Sequence, residues 1–252
     1  MNPFSLEGKV ALVTGAGRGL GQGIARALAQ AGADIVGVVN TSRSTQTRDE
    51  IETLGRQYDE IQADLSQTSS AAQVVAQASA FHGHIDILVN NSGIIKRNDS
   101  LAYTEEEWDL VVDLNLKSVF FLCQAFARQV ISQGTPAKII NIASMLSYKG
   151  GFRVPSYTAS KSGVKGITMS LANEWAGKGI NVNAIAPGYM ATDNTENLRE
   201  DPVRAAEILG RIPAGRWGSA DDIGGAAVFL ASRASDYVHG FTIAVDGGWL
   251  AR

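Results

Sequence analysis

Short apolar runs alternate with segments of helical periodicity along the whole of this 252-residue chain. The first two runs are residues 9–14 (KVALVT) and 34–40 (DIVGVVN), and residues 20–31 between them place small and apolar side chains at helical spacing. Runs that are apolar throughout are typical of strands buried on both faces of a parallel sheet. The alternation therefore predicts an α/β fold in which helices cover both faces of such a sheet.

The same pattern continues to the end of the sequence. Five more strands are predicted at residues 59–63, 85–90, 138–144, 181–186 and 241–245. Helices are predicted at residues 45–55, 67–81, 104–133, 156–176 and 220–231, with a shorter one near 204–209. Seven strands joined by right-handed crossovers predict a doubly wound, seven-stranded parallel sheet in a single domain over residues 1–252.

Composition argues against several classes of function. The formal net charge of −3, with dispersed charges, gives no basis for a nucleic-acid or membrane-surface partner. We find neither a secretory signal nor a window of about 18 apolar residues, so we expect a cytoplasmic protein without a membrane span. The single cysteine, Cys123, lies in an apolar run without a cluster of metal-ligand residues, which predicts a buried thiol and no metal site.

A glycine-rich turn, residues 14–21 (TGAGRGLG), follows the first predicted strand and precedes the first predicted helix. Glycine lets the backbone turn tightly and lets a ligand approach it closely. The helix that follows presents unpaired N–H groups and the positive end of its dipole. Glycine-rich turns are common, but this position between a strand and a helix favours a pyrophosphate site.

Tyr157 and Lys161 are four residues apart on a predicted helix, and this spacing puts them on one face. A free tyrosine has a pKa of about 10, and a neighbouring ammonium lowers that pKa, so the tyrosine can exchange a proton with a substrate. Alone, such a pair is more often an ordinary surface pair. Ser144 ends the fifth predicted strand, on the side of the sheet where ligands bind, and its hydroxyl can hold the reacting oxygen.

Together these features resemble the short-chain dehydrogenase/reductase family: the glycine turn, residues 90–93 (NNSG), Ser144, Tyr157 and Lys161. The family's segment reads NNAG, so this chain has serine in place of its alanine. The resemblance spans essentially the whole chain. It implies a Rossmann fold and hydride transfer between a nicotinamide cofactor and a carbonyl or secondary alcohol. The implied catalytic residues are Asn115, Ser144, Tyr157 and Lys161, with Asn115 thought to hold a water in the proton relay.

The resemblance also implies which residues bind the cofactor. The implied set is Gly15, Arg18, Gly19, Leu20, Gly21, Asn40, Asp64, Leu65, Asn91, Gly93, Tyr157, Lys161, Pro187, Gly188 and Thr192. Within this set Asp64 can also be explained as a plain turn residue, and Pro187-Gly188 as a plain turn after a strand.

Cofactor choice rests on the end of the second strand. Residues 38–42 contain no acid to bind a ribose 2′-hydroxyl and repel a 2′-phosphate, although Asn40 can bond the ribose. Arg18 and Arg43 both favour a 2′-phosphate, whereas the relatives that the chain resembles mostly use NAD(H). We therefore expect NAD(H) to be preferred and NADP(H) to be accepted.

Within the family, residues 139–147, 186–192 and 212–218 resemble dehydrogenases of deoxy sugar acids. Such a substrate carries a carboxylate, which Arg97 and Arg153 can pair with, while Ser144 and Tyr157 contact its reacting oxygen. Lys149 and Arg216 are weaker candidates, and solvated surface arginines are the plain alternative. A reductase of another carbonyl, such as a 3-oxoacyl thioester or a polyol, is the competing enzyme hypothesis. A non-catalytic dinucleotide-binding module would not need the proton-transfer groups.

Two further expectations concern assembly and access to the site. The polar segment 189–216 follows the sixth strand, where a substrate lid would lie, although a plain surface loop is the alternative. In the resembling family the two long helices, here residues 104–133 and 156–176, pack against their copies, so we expect a homotetramer, with a dimer as the second choice.

Overall fold

The structure is a computed structural model, which describes residues 2–41 and 44–252. Its strands all run parallel in one sheet of order β3-β2-β1-β4-β5-β6-β7. The strands are β1 Val10–Thr14, β2 Asp34–Val39, β3 Tyr58–Gln62, β4 Ile87–Asn90, β5 Ala137–Ile142, β6 Ile180–Pro187 and β7 Thr242–Val245. The predicted doubly wound sheet is confirmed, and the strand order reverses between β1 and β4, where such sheets bind ligands.

Helices cover both faces of the sheet. One face packs against α1, α2 and α9 through residues such as Ile24, Ile51 and Ile223. The other packs against α3, α5 and α6 through residues such as Val74 and Phe126. The helices are α1 Gly19–Gln30, α2 Thr45–Thr53, α3 Ser70–His82, α4 Glu105–Val112, α5 Ser118–Gln133, α6 Pro155–Trp175, α7 Glu196–Glu200, α8 Pro202–Leu209 and α9 Ala220–Ala231.

The helix predicted over residues 104–133 begins as expected but contains an irregular turn. The Thr104 side chain accepts a hydrogen bond from the Glu107 backbone, and the Glu107 carboxylate accepts one from the Thr104 backbone. Between α4 and α5, Asp113–Lys117 forms a π-helical turn that hydrophobic spacing did not predict. Such turns occur often at functional sites, and Asn115 lies at the centre of this one.

Contrary to the sequence-based expectation that no segment could span a membrane, the combined helix Glu105–Gln133 is long and apolar enough to do so by length and composition alone. Its side chains Leu122, Phe126 and Val130 are buried in the core against the sheet. A core helix of a folded domain has the same composition, so this packing accounts for its apolar character.

The segment after β6 crosses the carboxyl edge of the sheet. It contains α7 and α8, where the sequence predicts one helix. Ile208 and Ile212 pack with Met145 and Trp249 in a small third cluster. The Tyr189 ring meets the Trp249 ring edge-on at a centroid distance of 4.9 Å. Since Met145 directly follows Ser144, this segment rests beside the predicted catalytic serine.

Candidate active site

A cleft of about 420 Å³ lies at the carboxyl edge of the sheet. It is lined by loops that follow β1 to β6, so residues far apart in sequence meet there. Gly21 is the one member of the predicted cofactor set that does not line it. The members that do are Gly15, Arg18, Gly19, Leu20, Asn40, Asp64, Leu65, Asn91, Gly93, Tyr157, Lys161, Pro187, Gly188 and Thr192.

The glycine turn packs closely against the loop after β4 and against the start of α1. Gly15 has a φ of +67°, a left-handed conformation that favours glycine, and a Cβ there would lie 2.9 Å from Asn91 Nδ2. A Cβ on Gly21 would overlap the carbonyl oxygen of Gly15. Gly21 is therefore needed so that α1 can pack beneath the turn, while Gly19 and Leu20 at the start of α1 line the cleft.

The loops after β1 and β4 are tied together by Thr14. Its Oγ1 accepts hydrogen bonds from the backbone nitrogens of Asn91 and Ser92, at 2.9 and 3.0 Å. In return, Asn91 Nδ2 donates to the carbonyl oxygen of Thr14 at 3.0 Å. These bonds fix the glycine turn relative to the 90–93 segment, so the floor of the cleft is held by side chains that the motifs specify.

Asn115 is fully buried in the π-helical turn. Its Oδ1 accepts a hydrogen bond from the Ile94 backbone at 2.9 Å, and its Nδ2 donates to the Ile94 carbonyl at 2.8 Å. The amide therefore holds the loop that follows β4. The predicted role of Asn115 in a water relay stays a prediction.

The side chains of Ser144 and Tyr157 lie close to each other, and this contact lowers the pKa of Tyr157 against the effect of burial. Ser144 lies two residues beyond the end of β5, and its Oγ accepts a hydrogen bond from the Leu146 backbone at 3.1 Å. This orients the serine hydroxyl at the start of the loop, facing the first turns of α6. The two groups expected to contact the reacting oxygen are thus adjacent in space.

Lys161 is buried one helical turn beyond Tyr157. Its Nζ donates to the carbonyl oxygen of Ile142 at 2.6 Å and lies 5.8 Å from the centre of the Tyr157 ring. Burial lowers the pKa of the Lys161 ammonium to about 8.

The electrostatics of Tyr157 differ from the sequence-based expectation that Lys161 lowers its pKa. Burial raises the pKa of Tyr157, and the opposing effects come from the contact with Ser144 and the charge of Arg97. Because the helical spacing of a tyrosine and a lysine carries no information about burial, sequence alone could not anticipate this balance.

On the adenosine side, Asn40 and Thr41 follow β2 and line the cleft. Asp64 also lines it, two residues beyond the end of β3. Its carboxylate accepts hydrogen bonds from the backbone and hydroxyl of Ser66, at 3.0 and 2.7 Å. Asp64 thus stabilises a turn and also lines the cleft. Arg43 lies outside the described residues.

The sequence did not reveal what positions the chain beyond β2. The Ser44 backbone donates to the Glu60 carboxylate at 2.8 Å, and the Ser44 hydroxyl contacts both Glu60 and the Tyr58 hydroxyl. Thr47 Oγ1 donates to the carbonyl oxygen of Ala16 in the glycine turn at 2.9 Å. These partners lie on different strands and turns, so no spacing in the sequence indicates them.

Pro187, Gly188 and Thr192 form the wall that follows β6. A Cβ on Gly188 would lie 2.6 Å from the Cα of Asp246, so this glycine is required by the close approach of the chain after β7. The Thr192 backbone donates to Thr195 Oγ1 at 3.2 Å, which starts a short helical turn.

The candidate substrate arginines lie on neighbouring loops. Arg97 follows β4, and its charge acts on both Tyr157 and Tyr189. Arg153 follows β5, is exposed, and accepts a hydrogen bond at its carbonyl oxygen from the Asn98 backbone at 3.0 Å. Its φ of 61° is left-handed.

Arg216 and Lys149, the weaker candidates for binding the substrate carboxylate, bind groups of the protein itself. Arg216 donates to both carboxylate oxygens of Asp222 at 2.7 Å. Lys149 Nζ donates to the carbonyl oxygens of Trp249 and Arg252, at 3.4 and 2.7 Å. Both cations are therefore used to hold the chain around the site.

Comparison with known proteins agrees with this geometry. A family model described as enoyl-(acyl carrier protein) reductase matches residues 15–250. The 2-dehydro-3-deoxy-D-gluconate 5-dehydrogenase of Escherichia coli K12 is 61% identical over 252 residues, covering 100% of this chain and 99% of that protein. The Bacillus subtilis 168 enzyme of the same name is 55% identical over 249 residues, covering 99% and 97%.

Among solved structures, one from Agrobacterium tumefaciens with bound NADP is 55% identical and superposes with a TM-score of 0.95 over 100% of both chains. That protein is attributed to the 2-deoxy-D-gluconate 3-dehydrogenases. The sheet, its cleft and the serine, tyrosine and lysine at its edge define a dinucleotide-binding oxidoreductase. The chain belongs to the short-chain dehydrogenase/reductase family and is an NAD(P)-dependent enzyme of that family.

Proposed function

We propose that this chain acts as a 2-dehydro-3-deoxy-D-gluconate 5-dehydrogenase, which interconverts a hydroxyl and a keto group of a deoxy sugar acid. The observation that carries the proposal is the placement of Ser144 and Tyr157 side by side at the carboxyl edge of the sheet, with Arg97 near enough for its charge to act on Tyr157. A cation beside the proton-transferring pair suits a small substrate whose carboxylate lies a few bonds from the reacting carbon. The 61% identity to the Escherichia coli enzyme supports the same substrate.

In the proposed mechanism, Tyr157 exchanges a proton with the substrate oxygen, and the Ser144 hydroxyl donates a hydrogen bond to that oxygen. Lys161, held by the carbonyl of Ile142, has further N–H groups that can bind a ribose. Asn115 keeps the loop after β4 in place and contributes to the proton relay. The nicotinamide, when bound in the cleft, supplies or accepts the hydride.

We assign the substrate carboxylate to Arg97 and Arg153. The hydrogen bond between the Asn98 backbone and the Arg153 carbonyl joins the two loops that carry them. A guanidinium from each loop can therefore approach one carboxylate, and Arg–carboxylate hydrogen bonds are among the stronger ones in proteins.

The experiment is a substrate comparison with the purified protein. We expect turnover of 2-dehydro-3-deoxy-D-gluconate with NAD⁺ or NADP⁺, and little turnover of a 3-oxoacyl thioester or an uncharged polyol. A higher kcat/KM for the thioester, the substrate class named for the 38% identical 3-oxoacyl-[acyl-carrier-protein] reductase of Escherichia coli K12, would overturn the proposal. Tight cofactor binding without turnover of any of these would favour a non-catalytic module.

For the cofactor, we propose that NAD(H) is preferred and NADP(H) is accepted. Asn40, rather than an acid, follows β2, so no carboxylate at this position repels a 2′-phosphate. Arg18 faces the same cleft, but its guanidinium is paired with Asp193 at 3.0 Å. The ratio of kcat/KM for NADH and NADPH with one substrate tests this preference.

We further propose a cytoplasmic homotetramer whose segment 189–216 is a substrate lid, with neither nucleic acid nor a membrane as partner. Trp108 and Leu110 on α4 and Met169 on α6 are exposed apolar residues, as expected where long helices pack against their copies. Sedimentation showing a stable monomer at micromolar concentration would contradict the assembly.

A further inference from the structure

An ion pair bridges two walls of the cofactor cleft. Arg18 Nη1 lies 3.0 Å from Asp193 Oδ2. Arg18 belongs to the glycine turn after β1, whereas Asp193 belongs to the segment after β6, and both residues line the cleft. The pair therefore connects the phosphate-binding turn to the first turn of the proposed lid.

Local structure fixes Asp193 at this position. Thr195 Oγ1 accepts a hydrogen bond from the Thr192 backbone at 3.2 Å and donates one to the Met190 carbonyl at 2.6 Å. The Thr192 side chain also lies against the glycine turn, since a Cβ on Gly19 would lie 3.8 Å from Thr192 Cγ2. The ion pair thus forms where the two walls already meet.

The ion pair affects how an anionic cofactor would bind, because one of its two partners is a carboxylate. A carboxylate on the wall of a phosphate-binding cleft is unfavourable unless it is paired, and Asp193 is paired with Arg18. Arg18 shares the cleft with Asn40 and Thr41, at the end of β2, where an arginine accommodates a ribose 2′-phosphate in such folds. A 2′-phosphate and Asp193 are both anions, so they would compete for one guanidinium.

We propose that Asp193 is a specificity-determining residue, which favours NAD(H) over NADP(H) because it competes with the 2′-phosphate for Arg18. This inference rests on the proposed cofactor site at Arg18. With NAD(H), Arg18 stays paired with Asp193 and the glycine turn stays attached to the lid. With NADP(H), Arg18 turns to the 2′-phosphate and that attachment is lost. Both side chains are largely exposed, at 79% and 65%, so the effect is of the size of a surface ion pair.

The test measures binding of NADH and NADPH by fluorescence titration without substrate, so it is independent of the proposed sugar-acid activity. For Asp193→Asn we expect the Kd of NADPH to fall about threefold to fivefold, with little change for NADH. In an Arg18→Ala background the same substitution removes an unpaired carboxylate, so it should lower both Kd values alike and leave their ratio unchanged. Salt at about 0.5 M should shrink the effect because it screens exposed charges.

Glu196→Gln is the matched control. Glu196 is exposed three residues further along the same segment, and among the described residues it makes no ion pair or side-chain hydrogen bond. The control removes the same charge without touching Arg18, so the ratio of the two Kd values should stay as in the parent protein. The proposal is overturned if Asp193→Asn leaves that ratio unchanged, if its effect persists without Arg18, or if Glu196→Gln reproduces it.

Discussion

The ammonium of Lys161 donates a hydrogen bond of 2.6 Å to the carbonyl oxygen of Ile142, which ties α6 to the last residue of β5. Lys161 is also 95% buried, since its exposed fraction is 5%, and burial lowers its pKa from 10.5 to about 8. A lysine in such a position carries a cost to stability whenever it is charged, because a buried ammonium loses its hydration.

That cost should make stability depend on pH in a defined window. Between the folded pKa of about 8 and the unfolded value of 10.5, the unfolded chain binds more protons, so the unfolding free energy rises with pH. The rise due to Lys161 alone should be at most about 3–4 kcal/mol, from about 1.4 kcal/mol per pKa unit. Urea unfolding at several pH values between about 7.5 and 10.5 measures it.

The Lys161→Met variant isolates this contribution. Burial raises the pKa of both Tyr157 and Cys123, so these groups act in the opposite direction, but they are present in both proteins. The unfolding free energy of the variant minus that of the parent should therefore fall as the pH rises from 8 to 10.5, because only the parent gains stability from the loss of the Lys161 charge. A constant difference would mean that Lys161 does not titrate in this range.

Tyr157→Phe should abolish chemistry while leaving the cofactor site intact. The substitution removes only the hydroxyl that exchanges the proton, so turnover should fall by about 10²–10⁴-fold. The Kd of NADH should change little, because the ring still fills its place against the cleft. Tyr237→Phe, at a side chain that is 99% exposed, removes a hydroxyl elsewhere and should retain full activity. Near-native turnover in Tyr157→Phe would refute the mechanism.

The sequence predicts best what is specified locally. Hydrophobic periodicity and turn residues give the seven strands and the order of the elements along the chain. The motif also assigns Gly21 to the cofactor, whereas the structure shows that it is needed for packing against Gly15. The bonds from Ser44 to Glu60 and from Arg18 to Asp193 join separate loops, so they become visible only once the sheet has brought those loops together.

Arg153 allows charge and backbone strain to be tested separately. Its φ of 61° costs a residue with a side chain about 1 kcal/mol, which Arg153→Gly should recover and Arg153→Ala should not. Both variants lack the guanidinium. If it binds the carboxylate, both should lower kcat/KM for the sugar acid about tenfold or more, the worth of a charge-assisted hydrogen bond. Equal losses on an uncharged analogue would show that Arg153 is structural.

Gly21 and Gly225 offer a comparison in which helix propensity and packing disagree. Both lie inside helices without a positive φ, so propensity alone favours alanine at each by about 1 kcal/mol. A Cβ on Gly225 meets nothing within 4 Å, whereas one on Gly21 would overlap the Gly15 carbonyl and lie 2.5 Å from Asn91 Nδ2. Neither of those neighbours can move without displacing the glycine turn.

We therefore expect opposite signs from the same substitution. Gly225→Ala should raise the unfolding free energy by about 0.5–1 kcal/mol and leave the Kd of NADH unchanged. Gly21→Ala should lower the unfolding free energy by about 1–3 kcal/mol, as overpacking does, and weaken NADH binding because the turn shifts. Urea unfolding and NADH titration of the two variants measure both quantities. A Gly21→Ala protein with parental stability and affinity would show that the turn can adapt, and that Gly21 is not needed for packing.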